Sequence, residues 1–173
     1  MTELLVLCTG NAARSVMAGF MLEHLGGEGS DLHIVTAGTH TIDGQPMGLR
    51  TRKALSGIPD LASDSFVRHR SRQVHDSDFD LAELVVVMEA DHVRFVRRIH
   101  PDAADRTSTI RHLCEHLVPG SDPLSDRVAR LHLADVALAD AEDVTDPAGR
   151  DEEVYAACVA ELWGLCQLLF TLL

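Results

Sequence analysis

Cys8 and Arg14 stand with five residues between them in the run Cys8-Thr9-Gly10-Asn11-Ala12-Ala13-Arg14-Ser15. A short loop of this kind before a helix gathers three sources of positive potential around one sulfur. Its N–H groups can point inward as an anion nest, and the following helix N-terminus adds about half a unit charge. Arg14 offers a planar fork that matches two oxygens of a tetrahedral oxyanion. The same field favours thiolate over thiol, so Cys8 is expected to be a nucleophile at neutral pH. Gly10 and Asn11 tolerate left-handed backbone angles, as an inward-pointing loop needs. The Ser15 hydroxyl can donate to the sulfur. The bland reading of the same residues is a buried, inert cysteine before an ordinary turn.

The flanking elements favour the chemical reading. Leu4-Leu5-Val6-Leu7 is an apolar run of strand length that suits a buried parallel strand. A helical pattern starts near Val16 and ends at Gly26-Gly27. Residues 33–37 read as a second strand, 48–56 as a helix closed by Gly57 and Pro59, 84–88 as the third strand, and 90–99 as a helix closed by Pro101. Residues 109–113 read as a fourth strand. Residues 119–147 are acid-rich and proline-bearing around a helix-like stretch at 125–138. From Glu152 the chain is helical, with Val154, Ala157, Cys158, Leu162, Leu165 and Leu169 on one stripe. Strands alternating with helices imply an α/β, three-layer sandwich: a four-stranded parallel sheet, helices on both faces, and the Cys8 loop after strand 1.

The 173 residues fit one domain, 1–173. The net charge is −12, with −3 in residues 1–114 and −9 in residues 115–173. An acidic surface makes nucleic acid and anionic membranes poor partners. The longest C-terminal apolar stretch, 162–173, is broken by Gln167 and reads as too short for a membrane span. The four cysteines have no disulfide-framework spacing, and the N-terminus lacks a signal-peptide pattern, so the reducing cytoplasm is the expected compartment. Cys158 and Cys166 read as core residues. His112, Cys114 and His116 alternate, so a strand would place them on one face, where core or surface placement outweighs a metal site.

The loop resembles the signature C-x-G-N-x-C-R-S of the low-molecular-weight protein tyrosine phosphatase family. Further matches follow in order: Thr36-Ala37-Gly38-Thr39, Gly57-Ile58-Pro59, His69-Arg70-Ser71-Arg72-Gln73-Val74, residues 84–89, Asp146-Pro147, and 154–159. The resemblance implies two-step phosphoryl transfer through a phosphocysteine. Cys8 would attack phosphorus. Arg14 and the loop N–H groups of Thr9, Gly10, Asn11, Ala12, Ala13 and Arg14 would bind the oxyanion. Asp146 would protonate the leaving oxygen and then activate water, while Asn11, Ser15, Thr36 and His69 would brace the loop. No metal or cofactor is implied. The expected partners are a phosphorylated protein or small phosphomonoester, with inorganic phosphate or another tetrahedral oxyanion in the loop.

Departures from the pattern bear on specificity. The second loop cysteine of the family is Ala13 here, which excludes a disulfide with Cys8 inside the loop. Aromatic walls usual in the family are replaced by His40-Thr41-Ile42-Asp43 and Ala148-Gly149, so a phenyl ring loses its stacking partners. An acidic insertion spans about 119–145. Protein tyrosine phosphatase remains the reading that the resemblance implies. A small-thiol-dependent arsenate reductase on the same loop, or a non-catalytic phosphate-binding module, stands as the alternative.

Overall fold

In a parallel strand covered on both sides, successive side chains feed two different cores. The first strand does this in the computed structural model, which describes residues 2–59, 61 and 63–173. In β1 (Thr2–Cys8), Leu4, Val6 and Cys8 join one apolar cluster, and Leu5 and Leu7 join the other. The elements that follow are α1 (Arg14–Gly26), β2 (Leu32–Gly38), α2 (Leu49–Leu55), α3 (Asp76–Leu81), β3 (Leu84–Val87), α4 (Ala90–Ile99), β4 (Thr107–Thr109), α5 (Ile110–His116), α6 (Leu124–Ala129) and α7 (Glu152–Leu172). The sheet is parallel in the order β2-β1-β3-β4. Residues of α1, α2, α5 and α7 pack on one face, and residues of α3 and α4 on the other. The expected α/β layering with a four-stranded parallel sheet is therefore present.

This order places the chemistry. The chain leaves β1 toward β2 on one side and later returns to β3 on the other. The crevice of an open parallel sheet opens at such a reversal, at the carboxyl ends of the strands. Here it opens at the end of β1, where Cys8 sits.

Several expectations need correction. The fourth strand is Thr107–Thr109 rather than 109–113. The Thr109 side chain accepts the His112 N–H at 3.2 Å, so it caps a helix instead of continuing a strand. Ile110 and Leu113 then face the core, with Leu117 beyond them. His112 and His116 therefore do not alternate on a strand. They stack one helical turn apart with ring centroids 4.1 Å apart. The stretch expected to be helical over 125–138 is helical only at Leu124–Ala129. His132 takes a left-handed conformation (φ 49°), and a 3-10 turn follows at Leu133–Asp135. The helix expected to begin near Val16 begins at Arg14.

The last helix departs from expectation in two ways. It runs 21 residues and is long and apolar enough to cross a membrane by length and composition. Its face of Cys158, Val159, Leu162, Cys166 and Leu169 is instead buried in the core shared with α1. Ala157, expected on that stripe, is exposed. Cys158 and Cys166 are core residues as expected. Burial, reinforced by the Glu161 charge, pushes the Cys158 thiol up to about 12.

Candidate active site

The 8–15 loop begins where β1 ends and finishes as the first turn of α1. Its carbonyls are all committed outward. Those of Cys8 and Thr9 accept the N–H groups of Thr39 and His40, each at 2.9 Å. The Gly10 carbonyl accepts the Thr41 hydroxyl at 2.7 Å, and the Ala12 carbonyl accepts the Thr51 hydroxyl at 3.0 Å. The Asn11 carbonyl accepts His69 Nε2–H at 2.9 Å, and the Ala13 carbonyl accepts the Met17 N–H at 2.8 Å. A trans peptide points its N–H opposite to its C=O. Six outward carbonyls in a row therefore turn the N–H groups of residues 9–14 toward the loop centre, as an anion nest requires.

Asn11 is the pivot. Its φ of 46° is the left-handed bend that asparagine tolerates best among non-glycine residues. Its side chain accepts the Arg72 N–H at 3.0 Å and donates to Ser15 Oγ at 3.2 Å. Ser15 Oγ lies 3.0 Å from Cys8 Sγ. Gly38 lets the end of β2 lie against the loop, since a Cβ there would meet the Thr9 carbonyl oxygen at 2.6 Å.

Arg14 is almost fully buried (2% exposed) and needs a counter-charge. Its Nη1 donates to Glu89 Oε2 at 2.6 Å and to the Val144 carbonyl at 3.1 Å. Its Nη2 pairs with Asp146 Oδ2 at 3.0 Å. Burial alone would lower the Arg14 pKa. The Glu89 hydrogen bond and the negative charges of Asp146, Glu89 and Cys8 overcome that and raise it. Both Nη1 protons are used by these braces. Nη2 and Nε remain as the fork for an oxyanion.

The irregular segment after the acidic stretch delivers Asp146. The Val144 N–H donates to the Met88 carbonyl at 2.8 Å, and Asp143 Oδ1 accepts the Ala90 N–H at 2.7 Å. This seam along the end of β3 sets Asp146 over the loop. The Ala148 N–H donates to its Oδ1 at 3.1 Å. Cys8, Gly10, Ala12, Ala13, Arg14, Asp146 and Ala148 line a small cavity of about 50 Å³.

The structure thus brings together Cys8, Thr9, Gly10, Asn11, Ala12, Ala13, Arg14, Ser15, His69 and Asp146. Burial lowers the His69 pKa, the Asn11 carbonyl opposes this, and Arg70 adds to it. Thr36 is placed differently: its methyl covers Gly19, where a Cβ would meet Thr36 Cγ2 at 2.4 Å. The hydroxyls that hold loop carbonyls belong to Thr41 and Thr51 instead. Glu89, Thr41, Thr51, His92 and the Arg72 N–H were not read from sequence. One signal pointed to Glu89: a buried arginine demands a carboxylate, and Glu89 ends a strand-like run.

Comparison with known proteins shows the family of the chain. The family model described as low molecular weight phosphotyrosine protein phosphatase matches residues 3–173. The chain belongs to this family. As a member of the low molecular weight phosphatases, it is 28% identical over 162 residues to a protein-arginine-phosphatase of Geobacillus stearothermophilus, covering 92% of this chain and 88% of the relative. The solved YwlE arginine phosphatase from that organism superposes with a TM-score of 0.71 at 27% identity, over 98% of this chain and 91% of the other. A low molecular weight protein tyrosine phosphatase from T. tengcongensis superposes with a TM-score of 0.76 at 25% identity, over 98% and 97%. This low molecular weight phosphatase therefore resembles members whose names differ in substrate. Its own cavity must be read for that point.

Proposed function

We propose that the chain hydrolyses phosphorylated protein side chains through a phosphocysteine, and that phosphoarginine suits its cavity better than phosphotyrosine. The observation that carries the chemistry is the inward nest of residues 9–14 around Cys8 Sγ, with two donors of Arg14 left for an oxyanion. Cys8 Sγ attacks phosphorus as the bond to the leaving atom breaks, and Asp146 gives that atom a proton. Water then attacks the phosphocysteine, Asp146 takes its proton, and the S–P bond breaks to release inorganic phosphate and the thiolate. Charge is spread over the equatorial oxygens in both transition states, and the loop N–H groups and Arg14 are the donors that would face it. Asn11, Ser15 and His69 hold the nest in that shape.

The substrate reading rests on the cavity lining. Ala12, Ala13 and Ala148 supply no ring to stack on a phenol. Asp146 puts a half-exposed carboxyl group at the mouth, whose oxygen can accept from the guanidinium N–H groups of phosphoarginine. The named arginine phosphatase relative points the same way. The phosphotyrosine preference implied by the sequence resemblance is the less supported choice.

The test is phosphate release from two peptides of one sequence, bearing phosphoarginine or phosphotyrosine, with wild type and Cys8→Ser. A kcat/KM for phosphoarginine at least tenfold the higher is expected. A phosphotyrosine preference would overturn the substrate assignment, and release that survives Cys8→Ser would overturn the mechanism. Arsenite production from arsenate and a small thiol would favour the reductase reading instead.

A further inference from the structure

His92, near the start of α4, is 2% exposed and is not one of the groups that touch the oxyanion in the proposed reaction. Its Nε2 lies 3.0 Å from Thr9 Oγ1 and 3.2 Å from Glu89 Oε1. Glu89 uses its other oxygen, Oε2, to hold Arg14 Nη1 at 2.6 Å. One imidazole nitrogen therefore touches both the first residue of the nest and the carboxylate that braces the oxyanion fork.

The proton can be placed on this nitrogen. A bare lone pair on Nε2 would face a carboxylate oxygen at 3.2 Å, so Nε2 carries the hydrogen and Thr9 Oγ1 accepts it. Nδ1 is then a bare acceptor. It is buried and without a hydrogen-bond partner among the described residues. A buried acceptor without a partner is the more tolerable orphan, since an unpaired N–H is rarer. Burial first, then the Arg14 charge, lowers the His92 pKa to about 3, against the pull of Asp146 and Asp91. The ring therefore stays uncharged and adds no second cation beside Arg14.

We propose that His92 is a positioning residue for phosphoryl transfer: its Nε2–H holds Thr9 Oγ1 while the same buried ring edge abuts Glu89 Oε1, and so it sets the aim of the Arg14 fork over the nest. The proposal rests on the phosphatase reading above. Arg14 then has two supports on its outer side, Glu89 and the Val144 carbonyl, and only the first rests on a ring that is bonded to the loop. Freed of His92, Glu89 can swing with Arg14, and Thr9 loses its anchor beside Cys8.

Side-chain geometry gives a sharp test. A glutamine amide N–H can reach the place of histidine Nε2, whereas the amide of asparagine reaches only that of Nδ1. Wild type, His92→Gln, His92→Asn and His92→Ala are compared on p-nitrophenyl phosphate, with inorganic phosphate binding followed by calorimetry and folding by thermal melting. His92→Gln is expected to keep kcat within about threefold of wild type. His92→Asn and His92→Ala are expected to lose about 10- to 100-fold in kcat, more than they change KM, as for a displaced clamp. They are also expected to bind phosphate several-fold more weakly. Equal kcat and equal phosphate affinity in the glutamine and asparagine variants would overturn the proposal, as would an alanine variant that matches wild type. A wild-type chain without turnover would sink the phosphatase reading instead. Phosphate affinity would then still decide the role of His92, by separating glutamine from asparagine and alanine or by failing to.

Discussion

Removing the charge of Asp146 should tighten phosphate binding while it slows turnover. Without substrate, Asp146 Oδ2 occupies Arg14 Nη2 at 3.0 Å, one of the two donors left for the oxyanion. A bound phosphate must displace that carboxylate and endure its repulsion. At an effective dielectric of 20, two unit charges at this separation attract by about 5 kcal/mol. Asp146 is 44% exposed, however, so water screens the pair strongly. Exposed pairs contribute ~1 kcal/mol or less. At about 1.4 kcal/mol per tenfold, Asp146→Asn should bind inorganic phosphate about fivefold more tightly. The same change removes the proposed proton donor and base. kcat for phenyl phosphate, a poor leaving group, should fall at least about 100-fold. Calorimetric titration with phosphate at neutral pH and steady-state kinetics read the two effects on one preparation. Unchanged or weaker phosphate affinity would refute the competition between Asp146 and substrate, and unchanged turnover would refute the acid–base role.

Gly38→Ala should damage the site more than the fold. The added Cβ would meet the Thr9 carbonyl oxygen at 2.6 Å, so the loop must shift; a cost of about 1–3 kcal/mol in urea unfolding is expected, with turnover on p-nitrophenyl phosphate reduced at least tenfold. Wild-type turnover in that variant would show that the contact is yielding. Acid should destabilise the protein through His92 and His69. The folded pKa values of His92 (about 3) and His69 lie below the unfolded value, so between about pH 3 and 6.5 the unfolded chain holds more protons and stability falls as pH falls. A full one-proton difference changes stability by about 1.4 kcal/mol per pH unit. Unfolding free energies at pH 5 and pH 7 should therefore differ less in His92→Gln than in wild type, and an equal difference would contradict the burial of an uncharged His92.

Much of this was legible in residues 4–15. A strand, a nest-forming loop and a helix are local, so apolar periodicity and the types of Gly10, Asn11 and Arg14 announce them without knowledge of distant partners. The places where reading failed share a cause. Residues 109–113 carry a strand-like pattern, yet they form a helix that Thr109 caps and that buries Ile110 and Leu113 in the core. His112, Cys114 and His116 alternate in sequence, yet periodicity cannot separate a short strand from a short helix. Thr36 was expected to brace the loop because it sits in a matching segment. Which of several nearby threonines reaches a given carbonyl depends on ångström-scale packing, and Thr41 and Thr51 hold the contacts.

By itself, the sequence determined the alternation of strands and helices, the cysteine–arginine loop and its fit to a tetrahedral oxyanion, since each is written within a few adjacent residues. Tertiary structure alone decided how that loop is held and aimed. The order β2-β1-β3-β4 opens the crevice at Cys8, brings Glu89 from the turn after β3 and His92 from α4 to Arg14, and returns Asp146 from more than a hundred residues away. These partners meet because a buried guanidinium must find carboxylates and a turned-out carbonyl must find donors. That requirement specifies the kind of partner, and only the packed sheet specifies which residue supplies it.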